Sequence, residues 1–423
     1  MQANVKLARK WAETDEYWGD PKATMVESHR IPITRFTPEQ VEQMMAPDIA
    51  KLRSIAPSDI RGYVVGRLVT QHDKERLRPT FEPACNATCL KEQAVTLQYP
   101  SRLERRQKLK GKKFLLQFDY LAYFDEFGLP EGIQERLAIR TKDRLGRDAF
   151  YTVTRMPMGA TWSVGSAQTV TWCVLEPLLR LRSVSVDTSI DNVRIAGDDP
   201  VEFLHAVKTF ISRCRMVNAQ LDNEYKGVSD DDLLQTAAKN AKGPFKFMGE
   251  ETFIEGDEVF ARNTENNLRK LAMAVERLKV GHGVLRRHVA SIIGMLVFLV
   301  HVKNVPLCQL FRTLRFGAAV SKAADIDGWG QPLTFISPDV MQEIVNVTSY
   351  LLRNDPTKVP EYRAPASTNA SYDTIILVDA SSAAWAALIW HRGRTFRVTC
   401  GWQMPINRSA HAEPRAASRI FVV

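Results

Sequence analysis

An α+β fold is what the sequence predicts, on the strength of three stretches. The run FLLQF, Phe114 to Phe118, is a short apolar strand pattern. Val184, Val186, Ile190, Val193 and Ile195 alternate with polar residues, the period-2 pattern of a half-buried hairpin. Thr161–Leu181 and Asn263–Val302 are instead helical in pattern, the second rich in Leu, Ala, Arg and Lys.

In chain order, residues 1–57 are polar with isolated aromatics and read as an N-terminal extension. From Arg61 to Lys113 short apolar runs mix with cations, ending in RLERRQKLKGKK, which carries seven positive charges against one negative. Such a run is ordinarily a solvated face, here leading directly into the strand FLLQF. The helix over Thr161–Leu181 follows, and then the hairpin, whose turn is placed at Asp191-Asn192 because short Asx side chains tolerate tight-turn dihedrals. Pro200 opens a helix through Cys214, with Asp198 or Asp199 as its cap. Residues 318–353 carry no pattern that fixes their role. The Pro-, Ser- and Thr-bearing stretch 354–373 reads as a linker, after which the strand Thr374–Val378 starts a new domain.

Bulk properties narrow the function. At 423 residues and 45% hydrophobic, the chain can form two or three cores, which excludes disorder as a default. A formal charge of +9 points to a polyanion, nucleic acid ahead of an anionic membrane, because cations that neutralise phosphates release counterions. Six scattered cysteines suit a reducing compartment, and no histidine lies within metal-finger distance of Cys85 and Cys89, so no zinc knuckle is predicted. The opening residues MQANVKLARKWAETDEYWGD lack the apolar centre of a signal peptide. Val289–Val300 is too short to span a bilayer, which takes about 20 residues, and reads as a buried helix. These readings predict an intracellular protein, cytoplasmic or nuclear, without membrane partners; they leave oligomeric state open.

For a polyanionic substrate, the chemistry at issue is phosphoryl transfer, in which two magnesium ions about 3.5 to 4 Å apart stabilise attacking and leaving oxygens and carboxylates hold them. Asp119, ending FLLQF, and Asp191, in SIDNVRI, are the candidate carboxylates. Either alone is an ordinary turn residue. Their spacing adds information: MPMGATWSVGSAQ lies between them, with Gly159 forty residues after Asp119 and thirty-two before Asp191. Downstream come LDNEYKG and FKFMGEETF.

In this order the segments from Arg78 to Gly249 resemble the palm of reverse transcriptases: an Asp with an aromatic five residues on, a Pro-x-Gly turn before a helix, and an x-Asp-Asp hairpin. With SIIGMLVFLVHVKNVPL and a later VDAS, the chain most resembles retrotransposons of the DIRS and VIPER type, which carry a tyrosine recombinase. The resemblance implies a right-hand polymerase with fingers and palm at 58–262 and a helical thumb or connection at 263–353. A partial RNase H-like α/β domain would follow at 374–423.

It further implies that Asp119 and Asp191 bind two Mg2+ ions, with manganese as a substitute and the Tyr120 carbonyl as a further ligand. Phe124 would exclude a ribose 2′-hydroxyl, though it also reads as a core aromatic beside Tyr123 and Phe127. Met158 and Gly159 would floor the nascent base pair. Lys226 would serve the pyrophosphate as general acid. Arg78 in KERLRPTFEP would hold the triphosphate, with Lys74 and Arg76 as competitors, and Phe247, Met248 and Gly249 would form the primer grip. The implied partners are a primed RNA or DNA template and dNTPs.

The chain departs from the family pattern at Asn192, where most relatives have a second Asp. This leaves open a binding protein without catalysis. AGDDP at Ala196–Pro200 resembles the Gly-Asp-Asp of RNA-dependent RNA polymerases, but Pro200 follows at once and no apolar strand does. In the C-terminal stretch, Asp379 at a strand end and Glu413 thirty-four residues on resemble the opening of RNase H domains, with a second strand running through Trp390. Ten residues after Glu413 leave no room for the family's later aspartates, so no RNase H activity is expected.

Overall fold

The structure is a computed structural model and describes residues 27–71, 76–87, 97, 99–281, 283–333, 335–361, 374–380, 384–391 and 394–401. The chain divides into two compact units, Met1–Pro360 and Glu361–Val423.

In the first unit, helix α1 (Pro38–Met45) and strand β1 (Leu52–Ser54) precede a two-stranded ribbon, β2 (Val64–Gln71) and β3 (Arg76–Pro83). Helix α2 (Arg102–Gln107) leads into β4 (Phe114–Asp119), followed by α3 (Glu131–Gln134), the hairpin β5 (Ala138–Lys142) and β6 (Asp148–Val153), and α4 (Ser163–Leu175). The hairpin β7 (Val184–Ser189) and β8 (Asn192–Gly197), then α5 (Pro200–Met216) and α6 (Asp230–Lys242), complete the central part. Strands β9 (Phe245–Phe247), β10 (Glu250–Glu255) and β11 (Glu258–Asn263) precede four helices, α7 (Glu265–Val280), α8 (Arg286–Val302), α9 (Phe311–Asp327) and α10 (Pro338–Arg353), and a short strand β12 (Thr357–Lys358). Side-chain caps fix several helix starts: Thr37 and Ser101 in capping boxes, and Asp199, Ser229 and Ser337 on N3 amides.

The functional frame is the antiparallel sheet β4-β8-β7, packed on α4 and α5. Leu116, Phe118, Val193 and Ile195 bury their side chains against Phe203, Val207 and Phe210 of α5, so the alternation in the sequence is the inner face of this sheet. The same core takes Phe36, Val41, Met44 and Leu52. Leu52 also pairs with Val153 in the sheet β1-β6-β5. The described part of residues 1–57 is therefore built into the central core and is not a separate extension.

The four helices after Asn263 share one core, with Leu271, Leu296, Leu310, Ile344 and Leu351 all but inaccessible. Residues 318–353, whose role the sequence left open, thus belong to this bundle. Val289–Val300 lies on α8 as expected of a helix, but only one face of it is buried: Val289, Ile292, Leu296, Leu299 and Val300 face the core while Ser291 and Gly294 are exposed. No helix among the described residues is long and apolar enough to cross a membrane. The expected linker starts later than placed, because β12 pairs with β11 at Phe260↔Lys358.

The cationic run 102–113 is only in part the solvated face expected: Lys108, Lys110 and Lys113 are exposed, whereas its arginines are not. Arg106 is 1% exposed and makes a two-pronged ion pair with Glu250, Nε–Oε1 3.2 Å and Nη2–Oε2 2.7 Å, while Nη2 also donates to the Val302 carbonyl at 3.1 Å. Arg102 joins Glu250 at 3.3 Å and lies over the Phe298 ring. Two of the run's seven cations thus tie α2 to β10 and α8.

The second unit contains the antiparallel meander β13 (Thr374–Ala380), β14 (Ala384–His391) and β15 (Arg394–Gly401). Asp379 is a β13 residue paired with Ala386, one position before the strand's end. Glu413 lies outside the described residues.

Candidate active site

Register brings the two predicted carboxylates together. Asp119, last in β4, pairs with Asn192, first in β8, and Asn192 pairs with Ser189 across the hairpin. The two-residue turn is therefore Ile190-Asp191, one residue earlier than the Asp-Asn placement from sequence. Ile190 has φ +59°, a left-handed conformation uncommon for a β-branched residue. Helix α4 holds it there: Gln168 Oε1 accepts the Ile190 N–H at 2.6 Å, and the Thr171 hydroxyl donates to the Ile190 carbonyl at 2.8 Å. The Asp191 carbonyl accepts the Tyr120 N–H at 3.0 Å, locking the turn against the end of β4.

Asn192 has a visible part in this arrangement. Its Nδ2 donates to Asp191 Oδ1 at 3.0 Å and its Oδ1 accepts from Gln117 Nε2 at 3.3 Å. A second aspartate would offer Asp191 no donor there.

Asp119 and Asp191 line a cavity of about 420 Å3 together with Arg78, Phe124, Lys51, Asp125 and Asp222. Asp222 was not singled out from the sequence. Its segment runs beside the end of β4, donating its N–H to the Asp119 carbonyl at 2.9 Å and accepting the Asp119 N–H on Oδ1 at 3.3 Å. Lys51, also missed, pairs with Asp125 at 2.7 Å. Neither has a sequence signal, because long-range pairing alone brings these segments to the cavity.

Phe124 is 6% exposed within the central core, as its reading as a core aromatic has it, and it also lines the cavity. Tyr123 packs edge-on against Phe127 and donates its hydroxyl to the Ala167 carbonyl at 3.0 Å. Burial raises the phenol pKa of Tyr120 and of Tyr123, so both stay protonated around neutrality. Arg78 reaches Met158 Sδ at 2.7 Å.

Gly159 answers to the ribbon. A Cβ there would stand 2.3 Å from the Phe81 carbonyl oxygen of β3, and Asn86 fixes the loop by donating to the Gly159 carbonyl at 2.8 Å and accepting the Thr161 N–H at 3.1 Å. Gly159 is not among the cavity's lining residues, and Met158 lines a smaller neighbouring cavity. Lys226 is also outside: its side chain is 75% exposed and pairs with Glu224 at 3.3 Å, which Arg215 shares. Phe247 is buried under the Arg194 guanidinium, while Met248 and Gly249, both with positive φ, form the exposed β9–β10 turn.

The alternative carboxylates lie at the other end of β8. Asp198 follows Gly197, about 20 Å along the strand from Asn192 at roughly 3.3 Å per residue. Asp199 caps α5 on the Glu202 N–H at 2.8 Å, and Asp198 pairs with Lys112 at 3.4 Å.

Among the described residues no three His, Cys, Asp or Glu side chains stand together as a metal site. The donors present nevertheless fit magnesium. Asp119 and Asp191 offer hard carboxylate oxygens, and Mg2+ in nucleotide sites takes one or two carboxylates while water and substrate phosphates fill its other positions.

No protein-family model and no curated protein matches the chain. A solved structure does: a foamy viral protease-reverse transcriptase in complex with double-stranded DNA, with TM-score 0.52 and 12% identity over 96% of this chain. The match covers 63% of that chain, so this protein spans under two thirds of its length. At that identity the likeness is one of fold, and the fold of this chain is reverse-transcriptase-like.

Proposed function

We propose that the chain is a reverse transcriptase, an RNA-directed DNA polymerase that extends a primer 3′-hydroxyl with deoxynucleoside triphosphates. One observation carries the reading: the β4·β8 register sets Asp119 against the Ile190-Asp191 turn in a cavity that Phe124 and Arg78 also line. In this reading the ribbon β2–β3 forms fingers, the β4-β8-β7 sheet with its helices a palm, and the four-helix bundle a thumb. The DIRS and VIPER assignment rests on the sequence segments alone.

Asp119 and Asp191, with the Tyr120 carbonyl, would hold Mg2+ or Mn2+, which when bound stabilises charge on the attacking and leaving oxygens. The chain's own residues position and select. Arg78 receives triphosphate oxygens as a planar, permanently charged donor. Phe124 occupies the space that a ribose 2′-hydroxyl would need. Asn192 and the α4 contacts keep Asp191 from turning away, so that catalysis draws on preorganised electrostatics. Met248 and Gly249, exposed at their turn, suit support of the primer backbone. Lys226 stands outside the cavity and is assigned no step.

Primer extension on a primed RNA template with Mg2+ tests this. Asp119→Asn and Asp191→Asn should each lose on the order of 100-fold or more in rate. Asp198→Asn/Asp199→Asn should extend normally with stability nearly unchanged, because an asparagine amide oxygen in place of Asp199 can cap α5 about as well as the carboxylate does. Loss with Asp198/Asp199 and not with Asp191 would shift the centre to the Gly-Asp-Asp segment. A folded chain that binds duplex but never extends it would be a binding protein on a polymerase fold, the reading that Asn192 leaves open.

A further inference from the structure

The cavity holds a cation that the polymerase reading does not use. Lys51 Nζ lies 2.7 Å from Asp125 Oδ2, the two side chains 21% and 35% exposed, and both residues line the cavity that holds Arg78, Asp119 and Asp191. The lysine is delivered by an anchored backbone. Its N–H donates to the Met44 carbonyl at 2.8 Å, its carbonyl accepts the Thr154 N–H at 3.0 Å, and the next residue, Leu52, pairs with Val153. Ala50 before it is left-handed at φ +43°, and its carbonyl accepts the Thr154 hydroxyl. The backbone that carries Lys51 is fixed by the start of the β1-β6 pairing, and its side chain ends in the cavity.

Charge explains what it is placed for. The lining carries four carboxylates, Asp119, Asp125, Asp191 and Asp222, and two cations, Lys51 and Arg78. A nucleoside triphosphate entering this lining needs cationic partners for its phosphates beyond whatever the carboxylates recruit. An ammonium is a compact point charge with three donors, able to exchange a carboxylate oxygen for a phosphate oxygen without a change of protonation.

We propose that Lys51 is a second phosphate-binding residue of the nucleotide cavity, held in place by Asp125 until triphosphate oxygens take that carboxylate's position. This rests on the reverse transcriptase reading of the same site. It also makes the segment before β1 part of substrate binding.

The alternative is a plain brace, and the two variants separate them by sign. A brace is broken equally from either side, so Lys51→Met and Asp125→Asn would act alike. Under the proposal, Lys51→Met raises the KM for dTTP about ten-fold with kcat nearly unchanged, the worth of one charge-assisted hydrogen bond. Asp125→Asn, which frees the ammonium and removes a like charge, lowers the KM and strengthens competitive inhibition by inorganic tripolyphosphate. Lys51→Met weakens that inhibition.

The experiment uses the full chain on a primed template, with Asp119→Asn beside the two variants and thermal unfolding to confirm folding. Opposite shifts in KM and in tripolyphosphate inhibition support the assignment. If the chain extends, Asp119→Asn is dead, and the two variants shift together or not at all, the Lys51 assignment alone is overturned. Extension that survives Asp119→Asn overturns the site reading and this inference with it.

Discussion

Asn192 donates to the Asp191 carboxylate, so the residue that departs from the reverse transcriptase pattern the sequence resembles also orients the carboxylate beside it. Asn192→Asp would replace that donor with a second negative charge. The protein should lose about 1 to 3 kcal/mol of stability in chelator, from a lost charge-assisted bond and like-charge repulsion, and recover much of it in Mg2+. Thermal unfolding with and without the ion checks this; an equal loss in both would show that the asparagine matters for packing alone. At this scale the sequence was legible where chemistry and spacing coincide, at Asp119, Asp191 and Phe124. It misled at the turn, because Asp-Asn is the better turn pair by its own preferences. The turn sits at Ile190, where the strand register sets it and Gln168 and Thr171 of α4 hold it. Lys51 and Asp222 were not legible, since nothing local to either residue points to a cavity.

Elements show the opposite balance. The strand Phe114–Asp119, the hairpin, the helix from Pro200 and the helical stretch Asn263–Val302, which is divided into α7 and α8, follow from periodicity, with a cap at Asp199, because each turns apolar side chains to a core. The Met156–Ala160 turn needed more, since Gly159 is required by a strand some eighty residues earlier. Gly159→Ala must push β3 away from α4, since the obstacle is the Phe81 carbonyl and not a side chain that can rotate. The expected cost is about 1 to 3 kcal/mol, with a raised KM for dNTP because Arg78 rides on the same strand. Wild-type stability and KM in that variant would show that the ribbon gives way freely.

At the scale of the first unit, the buried Arg106–Glu250 pair links partners 144 residues apart. It joins α2, β10 and, through the Val302 carbonyl, the end of α8. Arg106→Met should cost about 3 to 5 kcal/mol, because Glu250 remains buried with only part of its compensation. Chemical denaturation measures it, and a loss below about 1 kcal/mol would mean that Arg102 suffices as partner. From sequence this arginine was one charge in a basic run, and burial, which reverses its meaning, depends on the packing of segments far from it.

The contact between Gly159 and the Phe81 carbonyl has a mechanical consequence as well. It is a fulcrum near the root of the β2–β3 ribbon, and Arg78 stands three residues beyond it, about 10 Å along an extended strand. A rigid ribbon turning there by about 20° carries the guanidinium through roughly 3 Å, the difference between contact with a phosphate and none. Leverage of this kind would let a small rotation at this one contact move Arg78 toward or away from the cavity it lines while the carboxylates on β4 and the hairpin turn stay where they are.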